Sequence, residues 1–148
     1  MKTIVLIDTN KDDLQFIKEA VASIDSEIQC LSFVFQEEAV EALISGVVQK
    51  PSIIFMNLNM RGKKGVQCLS ELRSDGGFED VPVALYAPKI TSDVIGSLRD
   101  LGATMTFERP DTLRGWKTLV HEVLISIPGN SFSTETLFVN PTRFVSSF

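Results

Sequence analysis

Two cysteines and one histidine are all that this 148-residue chain has of the side chains that most often ligate transition metals or attack substrates. Cys30 and Cys68 sit far apart inside apolar runs, which suits small buried hydrophobes in a reducing compartment rather than a disulfide pair. His121 falls on a helical pattern between core positions, with no Cys, Asp or Ser at a recognisable catalytic spacing. A structural role, solvated or partly buried, is expected for it. No glycine-rich loop follows the first apolar run, where Thr9-Asn10-Lys11 stands instead, so the phosphate-cradling fingerprints of nucleotide enzymes are excluded. Long hydrophobic stretches are missing too. Residues 4–7 are too short an apolar run for a signal-peptide core, and nothing approaches the length that spans a bilayer. Basic runs are also absent: the 14 Lys and Arg residues are dispersed through a chain of net charge −5, which disfavours binding to nucleic acid or to an anionic membrane. A cytoplasmic protein with neither partner is expected.

What is present is an ordinary globular composition, 44% hydrophobic and 22% charged, long enough for one domain with a sizeable core. Short β-branched or apolar runs predict strands at 3–7, 27–35, 52–56, 81–86 and 104–107. Between them, apolar residues recur at helical spacing. The stripes are Leu14, Ile17, Val21 and Ile24; Ala39, Val40, Leu43 and Ile44; Val66, Leu69 and Leu72; Val94, Leu98 and Leu101; and Leu113, Trp116, Val120, Val123, Leu124 and Ile127. Asn10, Thr91 or Ser92, and Asp111 or Thr112 are placed to cap helices, and Gly102 to end one in a left-handed turn. Strictly alternating strands and helices imply an α/β fold, a parallel sheet covered on both faces in three layers. Residues 1–127 form the domain and 128–148 a tail carrying Phe132, Phe138, Phe144 and Phe148. The tail is expected to be a partly disordered end settled on its own domain, or to pair as an edge strand through Leu137-Phe138-Val139, or to dock on a partner.

Chemistry in such a sheet sits beyond the carboxyl ends of the strands, which points to Asn57 and the loop after it. Several features there occur together: Ile7-Asp8 closing the first strand, Met56-Asn57-Leu58-Asn59-Met60 with Gly62 and Gly65 after the third, Pro82-Val83 in the fourth, Gly102-Ala103, and Arg109-Pro110 after the fifth. In order and spacing they resemble the receiver domain of bacterial two-component response regulators, over residues 2–127. The resemblance implies a flavodoxin-like, doubly wound five-stranded sheet in the order 2-1-3-4-5 with five helices. It also implies a site in which an aspartate after the third strand takes a phosphoryl group from a histidine kinase. There an acidic pair helps hold Mg²⁺, and a hydroxyl and a lysine contact the phosphoryl oxygens.

At the matching positions this chain has a degenerate pocket: Asp8 and Thr9 for the acidic pair, Asn57 with Asn59 in the acceptor loop, Ala87 for the hydroxyl and Arg109 for the lysine. An amide with a delocalised nitrogen lone pair is no nucleophile, so Asn57 is not expected to form an acyl phosphate. Asp8 is left as the single carboxylate of a three-carboxylate set, and metal binding through it is expected to be weak. No cofactor is expected. The Arg109 fork suits a carboxylate, and an Arg109–Asp8 pair would neutralise the pocket without metal and hold one conformation. The plainer readings are a solvated Asp8 and a turn-forming Asn57.

Lys11, Arg61, Lys63, Lys64, Lys89 and Arg109 cluster in or beside loops at the same edge, diluted by Asp12, Asp13, Glu108 and Asp111. They form either solvated loops or a site for a phosphate or nucleotide. Three functions follow: a receiver-like signalling module acting by protein contacts, an anion or nucleotide sensor, and a flavodoxin-like redox enzyme. The last is disfavoured because no phosphate loop is present, and no enzymatic activity is expected. A histidine kinase or another regulator is the expected partner, with a homodimer through the face of the fourth helix, fifth strand and fifth helix. The last eighteen residues are too few for a helix-turn-helix output domain, so output is expected from the domain itself or its tail.

Overall fold

The structure, a computed structural model, describes residues 2–59, 65–74, 77–127 and 144–146. In chain order the elements are β1 (Thr3–Ile7), α1 (Lys11–Ile24), β2 (Gln29–Phe33), α2 (Gln36–Ile44), β3 (Ile53–Asn57), α3 (Gly65–Ser74), β4 (Val83–Ala87), α4 (Ser92–Asp100), β5 (Met105–Glu108), α5 (Leu113–Ile125) and β6 (Phe144–Ser146). The sheet runs β2-β1-β3-β4-β5-β6. Its first five strands are parallel, in the order expected for a doubly wound fold.

Side-chain alternation along the strands divides the core in two. Ile4, Leu6, Ile53, Phe55, Ala84, Tyr86, Met105 and Phe107 face α1 and α5, meeting Leu14, Ile17, Trp116, Val120 and Leu124. Val5, Ile7, Ile54, Met56, Val83 and Leu85 face the other way, onto Val40 and Leu43 of α2, Leu69 and Leu72 of α3 and Leu98 of α4. Because β1, β3 and β4 are buried along their whole length, they read as continuous apolar runs rather than as alternating ones.

Local chemistry sets the helix ends. Asn10 Oδ1 accepts hydrogen bonds from the backbone N–H groups of Asp12 and Asp13, and Thr112 Oγ1 accepts one from Gly115. Gly102 follows α4 at φ +110°, a backbone that side chains disfavour. Pro82 stands just before β4, so no ladder donor is lost within the strand. At the amino-terminal edge of the sheet, the Arg73 guanidinium donates to the carbonyls of Phe78, Val81 and Gly102, fastening α3 to the turns before β4 and β5.

Four details differ from the sequence expectation. Val94 and Leu101 stay 37% and 41% exposed, because α4 reaches the core through Leu98 alone. Ile44, at the end of α2, is also exposed. His121 is buried, since the α5 face that carries Trp116, Val120 and Val123 extends to it. Finally, a sixth strand exists: β6 pairs antiparallel with β5, with Met105 opposite Ser146 and Phe107 opposite Phe144. Leu137-Phe138-Val139, the stretch expected at an edge, lies outside the described residues. Cys30 and Cys68 are not joined in a disulfide. Cys30 is half-buried, and burial pushes its thiol up to about 11 against the pull of Lys18, which keeps it protonated and unreactive at neutral pH. Among the described residues no helix is long and apolar enough to cross a membrane.

Candidate functional site

Three side chains converge above the α1–α5 face at the carboxyl edge of the sheet. Position 8 has the same parity as Ile4 and Leu6, position 57 the parity of Ile53 and Phe55, and position 86 that of Ala84. The two-residue strand repeat therefore aims Asp8, Asn57 and Tyr86 at one point. Asp8 is wholly buried, Asn57 nearly so, and Tyr86 wholly so.

Asp8 is the hub. Its Oδ1 accepts from the Asn57 carboxamide at 3.1 Å and from the Asn10 backbone N–H at 2.9 Å, and its Oδ2 accepts from the Tyr86 hydroxyl at 2.8 Å. Three donors on a buried carboxylate compensate its loss of water. Asn57 is held from its other side, because its Oδ1 accepts from the Asn59 N–H at 2.8 Å. The amide orientation follows: the oxygen takes the backbone donor and the nitrogen faces the carboxylate. Gly65 brings α3 against this loop, where a Cβ would lie 2.8 Å from the Asn57 carbonyl oxygen and 2.9 Å from Leu58 Cα. Tyr86 is fixed by stacking on Phe107 at 5.5 Å and by an edge contact with Trp116 at 5.2 Å. Burial, then the adjacent Asp8 charge, push its hydroxyl well above the usual tyrosine range, so it remains a donor.

The sequence points Arg109 at Asp8, but the structure gives it to Asp13. Arg109 Nε donates to Asp13 Oδ2 at 2.6 Å, and Asp13 is 1% exposed on the inner face of α1. Position 13 lies one turn before Ile17 on the same stripe, which brings this carboxylate closer to the incoming arginine than Asp8 at the strand end. Burial raises the Asp13 pKa; the Arg109 hydrogen bond and charge oppose that, and the Asp8 charge adds to it. The Trp116 indole also lowers it, although Trp116 Nε1 and Asp13 Oδ1 are each buried without a hydrogen-bond partner.

The remaining expected site residues are placed as follows. Thr9 is half-buried in the β1–α1 loop, Asn59 is exposed, and Ala87 ends β4 fully buried with no hydroxyl to offer. Of the basic rim, Lys11 opens α1 and Lys89 lies in the β4–α4 loop, both exposed, and Arg109 is drawn inward by Asp13. Arg61, Lys63 and Lys64 lie outside the described residues. Tyr86, Asp13 and Asn10 belong to the pocket and were not evident from motif spacing. Strand parity for Tyr86, and extension of the α1 stripe by one turn for Asp13, are the signals that reveal them.

These residues do not fit a divalent cation such as Mg²⁺. Both Asp8 oxygens already accept protein donors, Asp13 is engaged by Arg109, and Asn57 presents a donor amide where a ligand oxygen is required. Among the described residues no group of three acidic, His or Cys side chains is placed around a common point.

No protein-family model matches the chain, and no curated protein sequence matches it. Solved structures do. One is the phosphorylated cyanobacterial phytochrome response regulator RcpA, at TM-score 0.79 and 23% identity over 90% of this chain and 99% of that one. Another is the Mn²⁺-bound response regulator Rcp1, at 0.76 and 16% over 90% and 100%. A third is the chemotaxis response regulator CheY4 of Vibrio cholerae, at 0.70 and 14% over 84% and 99%. With the strand order, the helix placement and these superpositions together, the chain has the receiver-domain fold of response regulators.

Proposed function

We propose that the chain is a two-component signalling module of receiver type that takes no phosphoryl group and works by protein–protein contact. The single observation that carries this reading is the Asn57 carboxamide donating to Asp8 while Tyr86 and Asn10 complete the carboxylate's shell. The position that would need a nucleophilic carboxylate holds an amide. The carboxylate that would help hold a cation is saturated from within. RcpA and Rcp1, the phosphorylated and Mn²⁺-bound regulators it superposes on, supply the contrast. A pocket closed by its own side chains keeps the edge loops in one arrangement where a switching module needs two of comparable energy.

The module's partners are a histidine kinase or another regulator in the cytoplasm, and it turns over no substrate. Incubation with acetyl phosphate and Mg²⁺ followed by intact mass measurement tests the reading. The mass is expected to remain that of the unmodified chain, and a stable phosphoryl adduct would overturn the proposal.

A further inference from the structure

β2 ends the sheet on the side away from β5, and among the described residues no strand pairs with its outer edge. Gln29 donates its N–H to the Lys2 carbonyl at 3.0 Å, and the Phe33 carbonyl accepts from the Asp8 N–H at 3.1 Å. Backbone groups alternate sides along a strand, so residues 29, 31 and 33 serve β1. The N–H and carbonyl groups of Cys30 and Ser32 therefore point outward, ladder positions with no strand to receive them.

The strand itself carries little to deter pairing. Gln29-Cys30-Leu31-Ser32-Phe33 holds neither proline nor charge, its last four residues are only half-buried, and Phe35 just beyond stays 57% exposed. Charge stands at the two ends instead. Asp25 and Glu27 precede the strand, Glu37 and Glu38 follow it, and all but the half-buried Asp25 are exposed. The bases nearby are Lys18, whose charge reaches Cys30, and Lys2, which borders the same cleft as Asp25 and Glu27.

This arrangement selects the occupant. Two copies pairing their β2 edges antiparallel about a two-fold axis would set Asp25 and Glu27 of each against Glu37 and Glu38 of the other, acid on acid at both ends. A second copy is repelled where a segment with basic ends is attracted. We propose that the β2 edge is a docking strand: a partner protein adds an extended segment to it, bonded to the backbone of Cys30 and Ser32, with lysine or arginine near both ends of a β-branched centre. The proposal rests on the reading of the chain as a module working by protein contact and names the kind of segment contacted. Its test reads backbone protection at β2, whereas intact mass reads phosphoryl transfer, so either reading can fail alone.

The probes are short synthetic peptides of alternating valine and threonine, one with lysine at each end and one with glutamate at each end. They are titrated into the full-length chain and followed by amide NMR and hydrogen exchange. The lysine-ended peptide is expected to give saturable shifts along residues 29–35. It should slow exchange at the outward amides of Cys30 and Ser32 and leave that of Leu31, on the β1 side, unchanged. The glutamate-ended peptide should bind about tenfold more weakly, the effect of reversing two exposed charge contacts. Ser32→Pro removes an outward donor without touching the β1 ladder and should abolish binding, with near-ultraviolet circular dichroism verifying that Trp116 and Tyr86 remain packed. The double variant Glu27→Lys, Glu37→Lys leaves the strand itself unaltered and should reverse the preference between the peptides. Binding by neither peptide, equal binding of both, or shifts confined to other elements would overturn the proposal and leave the four acids as guards against edge pairing.

Discussion

Tyr86 and Asp8, seventy-eight positions apart, share a buried 2.8 Å hydrogen bond that joins the ends of β4 and β1. The pair sits where the strand ends open to the loops, so its integrity decides whether the pocket is a closed network or an open cleft. Removing the hydroxyl with Tyr86→Phe leaves Asp8 Oδ2 buried without a donor. A hydrogen bond to a charged group contributes about 1.5–3 kcal/mol, and urea denaturation at neutral pH should show a loss of that size. An unchanged midpoint and slope would mean that the bond does not hold the pocket.

Alkaline titration follows from the same pair. Tyr86 is the only tyrosine in the chain, so phenolate absorbance reports it alone. Burial and Asp8 raise its pKa in the fold. The neutral form is therefore the stable one, and the stability it confers is complete below the unfolded value of about 10 and is lost as pH climbs above it. Ionisation should coincide with loss of the near-ultraviolet dichroism. A phenolate step preceding unfolding would contradict the buried hydroxyl.

The Asp13–Arg109 pair gives an acid-side counterpart. Burial raises the Asp13 pKa above the ordinary value despite Arg109, so the folded chain binds this proton more readily than the unfolded one. Its contribution is full below the unfolded pKa near 3.9 and declines as pH rises through the folded value. The stability difference between wild type and Asp13→Asn should accordingly shift toward wild type as pH falls from neutrality to about 4. Arg109→Met strands the carboxylate and should cost about 2–3 kcal/mol at neutral pH, below the value for a wholly buried pair because Arg109 is 29% exposed. Denaturation curves across pH for the three chains measure both effects.

Restoring an acid at position 57 should destabilise the chain. The Asn57 nitrogen lies 3.1 Å from Asp8 Oδ1, and Asn57→Asp replaces that donor with a second carboxylate. Two acids so close share one proton rather than ionise together, so a cost of about 2 kcal/mol is expected at pH 7.5, recovering as the solution is acidified. Equal stability of the variant and wild type at pH 7.5 would show that the amide is not paired with Asp8.

The sequence made the sheet legible because each buried strand is a short apolar run ending in a polar residue, and each helix repeats its apolar stripe. Asp8, Asn57 and Arg109 could be placed because strand ends mark the pocket edge. Two things escaped. Tyr86 reads as one more core aromatic until strand parity is traced across to Asn57, and Asp13 reads as a first-turn acid suited to the helix dipole until the stripe through Ile17 is extended. The partner of Arg109 depended on that second point. The exposure of Val94 and Leu101 was hidden for another reason: periodicity identifies the apolar side of α4 but not whether a neighbour covers it.

The central claim is that Asn57, Asp8 and Tyr86 close the pocket against a cation and a phosphoryl group, leaving one conformation. Amide NMR spectra recorded with and without Mg²⁺ and beryllofluoride, a phosphoryl mimic, test it most directly. The spectra are expected to superimpose at Asp8, Asn57, Ala87 and Arg109. Saturable shifts at those amides, spreading into α4 and β5, would contradict the account.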